Sequence, residues 1–316
     1  MSPAIAEFLE HTLNGLILGG VFALIAVGYS LVYGIIGLIN FAHGEIAMAG
    51  AFITLKLADL VAGNTTTWGM LAVSLAASIL LTALLGALVE RLAYRPLRKA
   101  SKLSALITTI GLSLVLQNVA AMLFGPRDLR LHIPPCLEAT ALEVGGIEVR
   151  WKSVVILSAT LAAMLFLRWI VERTRLGRGM RAVSQDADAA RLMGVGINSV
   201  VVFTFVLGAG MASLSSGLLL LHIPLVRYDM GMQIGVVAFA AAVLGGIGSI
   251  PGAILGGFLI GLSQSYAAGY LGSLGEWMGH PSISSSYRES VAFLIMILIL
   301  VVRPRGLMGR QEGDRA

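Results

Sequence analysis

Two polar stretches interrupt an otherwise apolar sequence, and they are where chemistry could be done. The first is Asn40-Phe41-Ala42-His43-Gly44-Glu45, in an apolar run punctuated by Gly34, Gly37, Asn40 and Gly44. Unwound backbone at membrane depth is tolerated only where it lines a cavity or is buried in protein. Asn40 and His43 therefore either line a route or cap helix ends at the cytoplasmic boundary. His43 and Glu45 are two residues apart, which turns them to different faces of a helix and argues against a shared metal ion. The second stretch runs from Thr174 to Asn198. Between Asp186 and Met193 it is rich in helix formers, with Asp near the start and Arg near the end, as the helix dipole favours. Gly194 sits where a C-cap glycine belongs. A plain basic loop explains the arginines there but not the glycine stop or the apolar Leu192, Met193 and Val195. Docking of this short helix into a groove on a partner explains both, with Arg178, Asp186, Ala190, Arg191, Leu192 and Gly194 as the docking set.

Enzyme signatures are missing. There is no Gly-x-x-x-x-Gly-Lys-Ser/Thr phosphate loop, no His-Glu-x-x-His pair and no cluster of a nucleophile with an acid or base. No catalytic residue, metal ligand or cofactor is expected. Cys136 is the single cysteine, so no internal disulfide or cysteine-based metal site is available. Thr108, Thr109, Ser113, Gln117 and Asn118 recur at helical spacing along one apolar segment. Such residues hydrogen-bond between membrane helices or line a passage. Gly245, Gly248, Gly252 and Gly256 place small residues at about one-turn intervals and suit close helix contact, within the chain or with a partner.

The elements that must hold these residues are membrane helices. Of the 316 residues 57% are hydrophobic and only 12% charged, and the mean hydropathy is +0.88. A soluble domain carries about 25% charged residues. Apolar runs long enough to span a bilayer lie at 11–34, 40–61, 68–89, 103–124, 152–170, 198–221, 234–250, 252–270 and 289–303, which predicts nine spans within a range of eight to ten. Fifteen of the 22 basic residues fall in 91–102, 168–191 and the tail from Arg303. The positive-inside rule makes these cytoplasmic, the C-terminus with them, and nine spans put the N-terminus outside. The same placement explains the net charge of +5 without nucleic acid. Residues 1–11 lack the basic start of a signal peptide, so none is expected. The chain thus reads as a single transmembrane domain over 1–316, with an outer loop at 125–151 and a cytoplasmic loop at 172–198. In the outer loop, Leu142–Arg150 alternates about Gly145-Gly146 and predicts a short β-hairpin.

The Thr174–Asn198 stretch resembles the coupling-helix loop of ABC importer permeases. Tyr29–Gly44, Glu90–Arg98, Leu106–Leu114 and Leu244–Ala253 resemble the permeases of branched-chain amino acid importers, in particular the shorter of their two permease subunits. The resemblance runs from about Gly15 to Gly261. It implies an all-α polytopic fold of the branched-chain amino acid/ribose permease type in a bacterial inner membrane. It also implies a second homologous permease, two cytoplasmic ATPase subunits that bind the ATP, and a periplasmic amino-acid-binding protein. The implied function is ATP-driven uptake of Leu, Ile and Val. Import of urea, short-chain amides or another small polar solute stays open as an alternative, as does a passive channel. A carrier driven by an ion gradient needs acids at membrane depth, and here these reduce to Glu45, near the cytoplasmic edge.

Overall fold

The structure is a computed structural model, and residues 2–62, 67–98, 101–144, 147–277 and 285–309 are described. Helix dominates because an apolar chain in lipid must satisfy its backbone internally. In order come α1 (Pro3–Ile36), α2 (His43–Ala62), α3 (Trp68–Val89), a π-helical turn (Glu90–Tyr94) and the short α4 (Arg95–Leu97). Then follow α5 (Lys102–Phe124), α6 (Pro135–Glu138), α7 (Trp151–Arg173), α8 (Arg175–Gln185), α9 (Ala187–Leu192) and α10 (Ile197–His222). The chain closes with α11 (Met230–Gly245), α12 (Ile250–Trp277) and α13 (Arg288–Val302).

Each apolar run marked in the sequence is helical over most of its length, but the expected count of nine crossings is not reproduced. Among the described residues, six helices are long and apolar enough to span: Ala4–Ile36, Trp68–Leu97, Leu103–Phe124, Trp151–Arg173, Ile197–His222 and Ile250–Trp277. The other three fall short for visible reasons. α2 carries Glu45, Lys56 and Asp59, α11 has 16 residues and α13 has 15.

The loop at 125–151 contains the expected hairpin, β2 (Thr140–Val144) antiparallel to β3 (Ile147–Arg150), with a register irregularity between Thr140 and Leu142. Its turn residues Gly145 and Gly146 lie outside the described residues, as do Lys99, Arg310 and Arg315 of the basic segments. A second sheet has no sequence signal. Its strands β1 (Leu129–Arg130) and β4 (Leu225–Val226) are two residues each and pair across almost a hundred positions.

α1 and α10 form the buried centre and run antiparallel. Gly28 lies beside Gly208, while Ser215 Oγ donates to the Val21 carbonyl at 2.7 Å. Hydroxyls join further helices to them. Ser78 Oγ donates to the Gly50 carbonyl at 2.7 Å and stands 3.0 Å from Ser213 Oγ. Such bonds replace the hydrophobic drive that is absent between helices in lipid. α5 is peripheral and turns Leu103, Ile107, Leu114, Val115, Met122 and Leu123 outward.

The glycine series packs inside the chain. α11 and α12 fold back on each other so closely that a Cβ on Gly252 would run into the Gly245 carbonyl, and one on Gly256 into the Ala241 carbonyl. Gly248, in the intervening turn at φ +89°, lies beside Gly34. Gly256→Val should therefore lower the unfolding free energy of the detergent-solubilised protein by about 1–3 kcal/mol, the usual cost of overpacking. Gly111→Val, where a Cβ meets nothing within 4 Å, should leave the melting midpoint unchanged.

Candidate functional site

Two helices begin inside the molecule rather than at its faces. α1 ends on Gly37, a left-handed cap (φ 69°) whose N–H donates to the Tyr33 carbonyl at 2.8 Å. The next residues are not helical. Asn40 Oδ1 accepts from the Ala42 N–H at 3.0 Å, and α2 starts at His43. The His43 ring lies against Gly28 and Gly208, deep in α1 and α10. Gly28 is eight residues before the end of α1, or about 12 Å along its axis at 1.5 Å per residue. From that depth α2 runs along the later half of α10, with Gly50 against Ser213.

α11 starts at the same depth. A Cβ on Gly231 would strike Glu45, one on Gly44 would strike the Gly231 carbonyl, and Gly235 packs on Gly44 and Tyr29. α11 then runs the opposite way, to the Gly34 end of α1. Only bare Cα positions let two helix starts approach so closely. The N-termini of α2 and α11 thus meet inside the fold, each after a non-helical lead-in, 37–42 and 223–229.

Polar side chains collect at this junction. Asn40, His43 and Glu45 are 2%, 1% and 1% exposed. Glu45 Oε1 accepts from Ser113 Oγ of α5 at 3.2 Å, and the His43 ring stands edge-on to Tyr29 with centroids 4.8 Å apart. A small cavity of about 20 Å3 beside them is lined by Tyr29, Phe41, Met232, Gly235, Val236 and Phe239. Asn40 and His43 therefore sit at a helix start buried inside the fold, with Glu45 in its first turn. Of the α5 residues, Thr109 is fully buried and donates to the Leu106 carbonyl at 2.9 Å. Gln117 is half-buried. Thr108 and Asn118 are exposed and bond carbonyls of their own helix, Ser104 and Leu114. The structure groups Asn40 and His43 with Glu45 and Ser113, and leaves Thr108 and Asn118 on the outer surface.

The second site is α8 and α9. Thr174 caps α8, its Oγ1 accepting from the Gly177 N–H at 3.0 Å. Asp186 caps α9, its Oδ1 accepting from the Asp188 and Ala189 N–H groups at 2.9 Å each. Gly194 closes α9 at φ +82° and the Val195 N–H returns to the Ala190 carbonyl at 3.0 Å. Leu192 is 89% and Met193 83% exposed, whereas Ala190 is 5% exposed and packs inward. Arg178 and Arg191 are exposed. A groove of about 460 Å3 beside the helix is lined by Arg175, Leu176, Arg178, Ala182 and Val195. Of the six residues expected to dock, Arg178, Asp186, Arg191, Leu192 and Gly194 are exposed, as is the neighbouring Met193, whereas Ala190 is buried against the body.

The two sites are joined by residues that the sequence reading passed over. Glu90, at the end of α3, is fully buried and so is a second buried acid besides Glu45. Its Oε1 takes Arg98 Nη2 directly and Arg95 Nε at 3.8 Å. Arg98 Nη1 donates to Asn198 Oδ1, in the first turn of α10, at 2.6 Å. Four residues after Glu90, Tyr94 is buried against Phe205 and its hydroxyl donates to the Ile39 carbonyl, inside the lead-in to α2, at 3.4 Å. The available signal was Glu90 closing an apolar run with basic residues one, five and eight positions later.

The family model for "Branched-chain amino acid transport system / permease component" matches residues 11–300. The chain belongs to this family. It is 38% identical to the high-affinity branched-chain amino acid transport system permease protein BraD of Pseudomonas aeruginosa, over 99% of each chain. It is also 38% identical to LivH of Salmonella typhimurium over the full length of both. A probable branched-chain amino acid transport permease protein LivH of Methanocaldococcus jannaschii is 27% identical over 94% of this chain and 91% of its own. The resembling segments between Gly15 and Gly261 all fall inside the matched range. A permease component is a transport subunit and not an enzyme, and the six spanning helices make this one a multi-pass membrane protein.

The Glu90 contacts give this permease a measurable signature. Arg98→Ala leaves a buried carboxylate uncompensated and should cost about 3–5 kcal/mol of stability, as breaking a buried pair does. Arg95, 45% exposed, forms the longer contact, and Arg95→Ala should cost about 1 kcal/mol or less. Chemical denaturation of both variants in detergent checks the order.

Proposed function

We propose that this chain is the permease subunit of an ATP-driven, binding-protein-dependent importer that carries branched-chain amino acids across a bacterial inner membrane. The observation that carries this reading is the capped helix α9, which holds Leu192 and Met193 out in solvent. Exposed apolar side chains on a rigid, polar-capped turn are an anchor for another protein's groove. The chain has no phosphate loop, so the groove belongs to one of two cytoplasmic ATPase subunits, which bind the ATP. The arginines Arg178 and Arg191 flank the anchor and meet acids on that partner.

The same end of the bundle carries α9, the α10 start, the Glu90–Arg98 segment and the tail, whose Leu307 N–H donates to the Leu244 carbonyl at 2.9 Å. This end faces the cytoplasm, as its basic residues require. α2 and α11, each with its non-helical lead-in, and α13 complete nine crossings, which puts the N-terminus outside. The outer loop with the β2–β3 hairpin faces a periplasmic amino-acid-binding protein. A second, homologous permease covers the apolar face of α5, including Thr108 and Asn118, and the route runs between the two subunits past Asn40, His43, Thr109 and Gln117. Cargo selection for Leu, Ile and Val follows from the 38% identity to BraD and LivH.

The test is the double substitution Leu192→Asp, Met193→Asp in an importer reconstituted with its ATPases, second permease and binding protein. ATPase association should weaken by about thirtyfold or more, the loss typical of a buried anchor, and ATP-driven leucine uptake should fall with it while the permease's melting midpoint holds. Uptake that persists, or uptake without the ATPases, would favour a passive channel.

A further inference from the structure

We propose that Glu90, Arg98 and Asn198 form a two-position switch between the docking helix α9 and the lead-in of α2, in which Arg98 changes partner. All three are positioning residues and touch neither cargo nor ATP. The switch rests on the importer function proposed above and adds to it the side chains that keep ATP use in step with transport.

In the position seen here the Arg98 guanidinium bridges two elements. Nη2 donates to Glu90 Oε1 in the π-helical turn, and Nη1 donates to Asn198 Oδ1 in the first turn of α10 at 2.6 Å. Arg95 Nε stands 3.8 Å from the same Oε1. Two buried atoms of the pair are left over: among the described residues, Glu90 Oε2 and Arg98 Nε have no hydrogen-bond partner. Buried polar atoms are nearly always bonded. Here the two idle ones are an acceptor and a donor on one and the same ion pair.

A second position uses both. Nε and Nη2 lie along one edge of the planar guanidinium and match the two oxygens of a carboxylate. Turning Arg98 about its Nη2 contact brings Nε to Oε2 and carries Nη1 along with the rigid plane. The Nη1–Asn198 contact is already at the short end of the hydrogen-bond range, so the turn lengthens it. One charged hydrogen bond is exchanged for another, and no buried charge is left bare when Asn198 departs. Asn198 is exposed and lies four residues after Gly194, which closes α9, so a displaced α9 draws on it directly. On the far side, the π-helical turn carries Tyr94 to the Ile39 carbonyl at 3.4 Å, in the lead-in of α2. Apolar residues often fill such a place at no greater cost than an ion pair, but they have no second position to offer. A two-state element that both ends can bias is what coupling between separate sites requires.

The test is a pair of substitutions at the exposed end of the switch, in the complete reconstituted importer, with the buried Glu90–Arg98 pair left intact. Asn198→Ala removes the resting acceptor and favours the released position. ATP turnover without the binding protein should rise, and leucine carried per ATP should fall, each by about tenfold, the weight of one charged hydrogen bond. Asn198→Asp gives Arg98 a charged acceptor and favours the resting position. ATP turnover and leucine uptake should then fall together by about tenfold, with leucine per ATP unchanged. The melting midpoint and ATPase association should hold in both variants. A merely structural contact would move both variants the same way. Changes in one direction, no change in either variant, or weakened ATPase association overturns the switch. ATP-driven leucine uptake by the unmodified importer alongside any of these overturns the switch alone. Absence of such uptake from the unmodified importer overturns the importer function with it.

Discussion

A helix that starts inside a membrane fold exposes amides that no water can satisfy, and this chain starts helices there twice. Each break is answered locally. In the first, Gly37 turns the chain, Asn40 Oδ1 takes an amide, and Tyr94 reaches the Ile39 carbonyl. In the second, the Pro224 carbonyl accepts from the Leu131 N–H at 3.2 Å and β4 pairs with β1, so a two-residue strand from a distant loop supplies what lipid cannot. The rest of the architecture follows from keeping these breaks covered. α1 and α10 are long because they flank both, and α5 closes over Glu45 through Ser113.

The same junction is linked to the end of the bundle that carries α9. α9 is capped at both ends and leads through the Gly194 turn into the start of α10. Asn198 in that start holds Arg98, Arg98 neutralises Glu90, and the π-helical turn carries Tyr94 to the lead-in of α2. A π-turn inside an α-helix is an uncommon backbone state found often at functional sites. Here it brings Glu90 and Tyr94 both to the buried side. A push on α9 is thus one hydrogen-bonded relay away from the segment on which Asn40 and His43 sit.

Much of this was legible in the sequence, and the limits have physical causes. The helices and the β2–β3 hairpin follow from apolar length and alternation, which are local properties. The α9 helix was legible to within a residue at each end because Asp186 and Gly194 act through their own neighbours. Depth was not legible. Glu45 read as an edge residue because hydropathy marks where apolar runs begin, and cannot show that α2 begins beside Gly28 and Gly208. Glu90 was passed over because its burial depends on Arg98, eight residues away, and Asn198, a hundred positions later. The β1–β4 pair left no trace, since two-residue strands carry no period to recognise. Ala190 looked like part of the anchor because a six-residue helix shows no reliable face in sequence.

An importer whose route passes this junction must open it to one side of the membrane at a time. It can be tested on a single thiol. With Cys136 replaced by Ser the chain has no other cysteine, and Phe41→Cys puts one on the half-buried wall of the aromatic cavity. The rate of modification by a membrane-impermeant maleimide, applied from each side of oriented vesicles, reports which side reaches the junction. The account predicts reaction from one side in the nucleotide-free importer and from the other in the vanadate-trapped state. Equal rates from both sides, or the same side in both states, would contradict it.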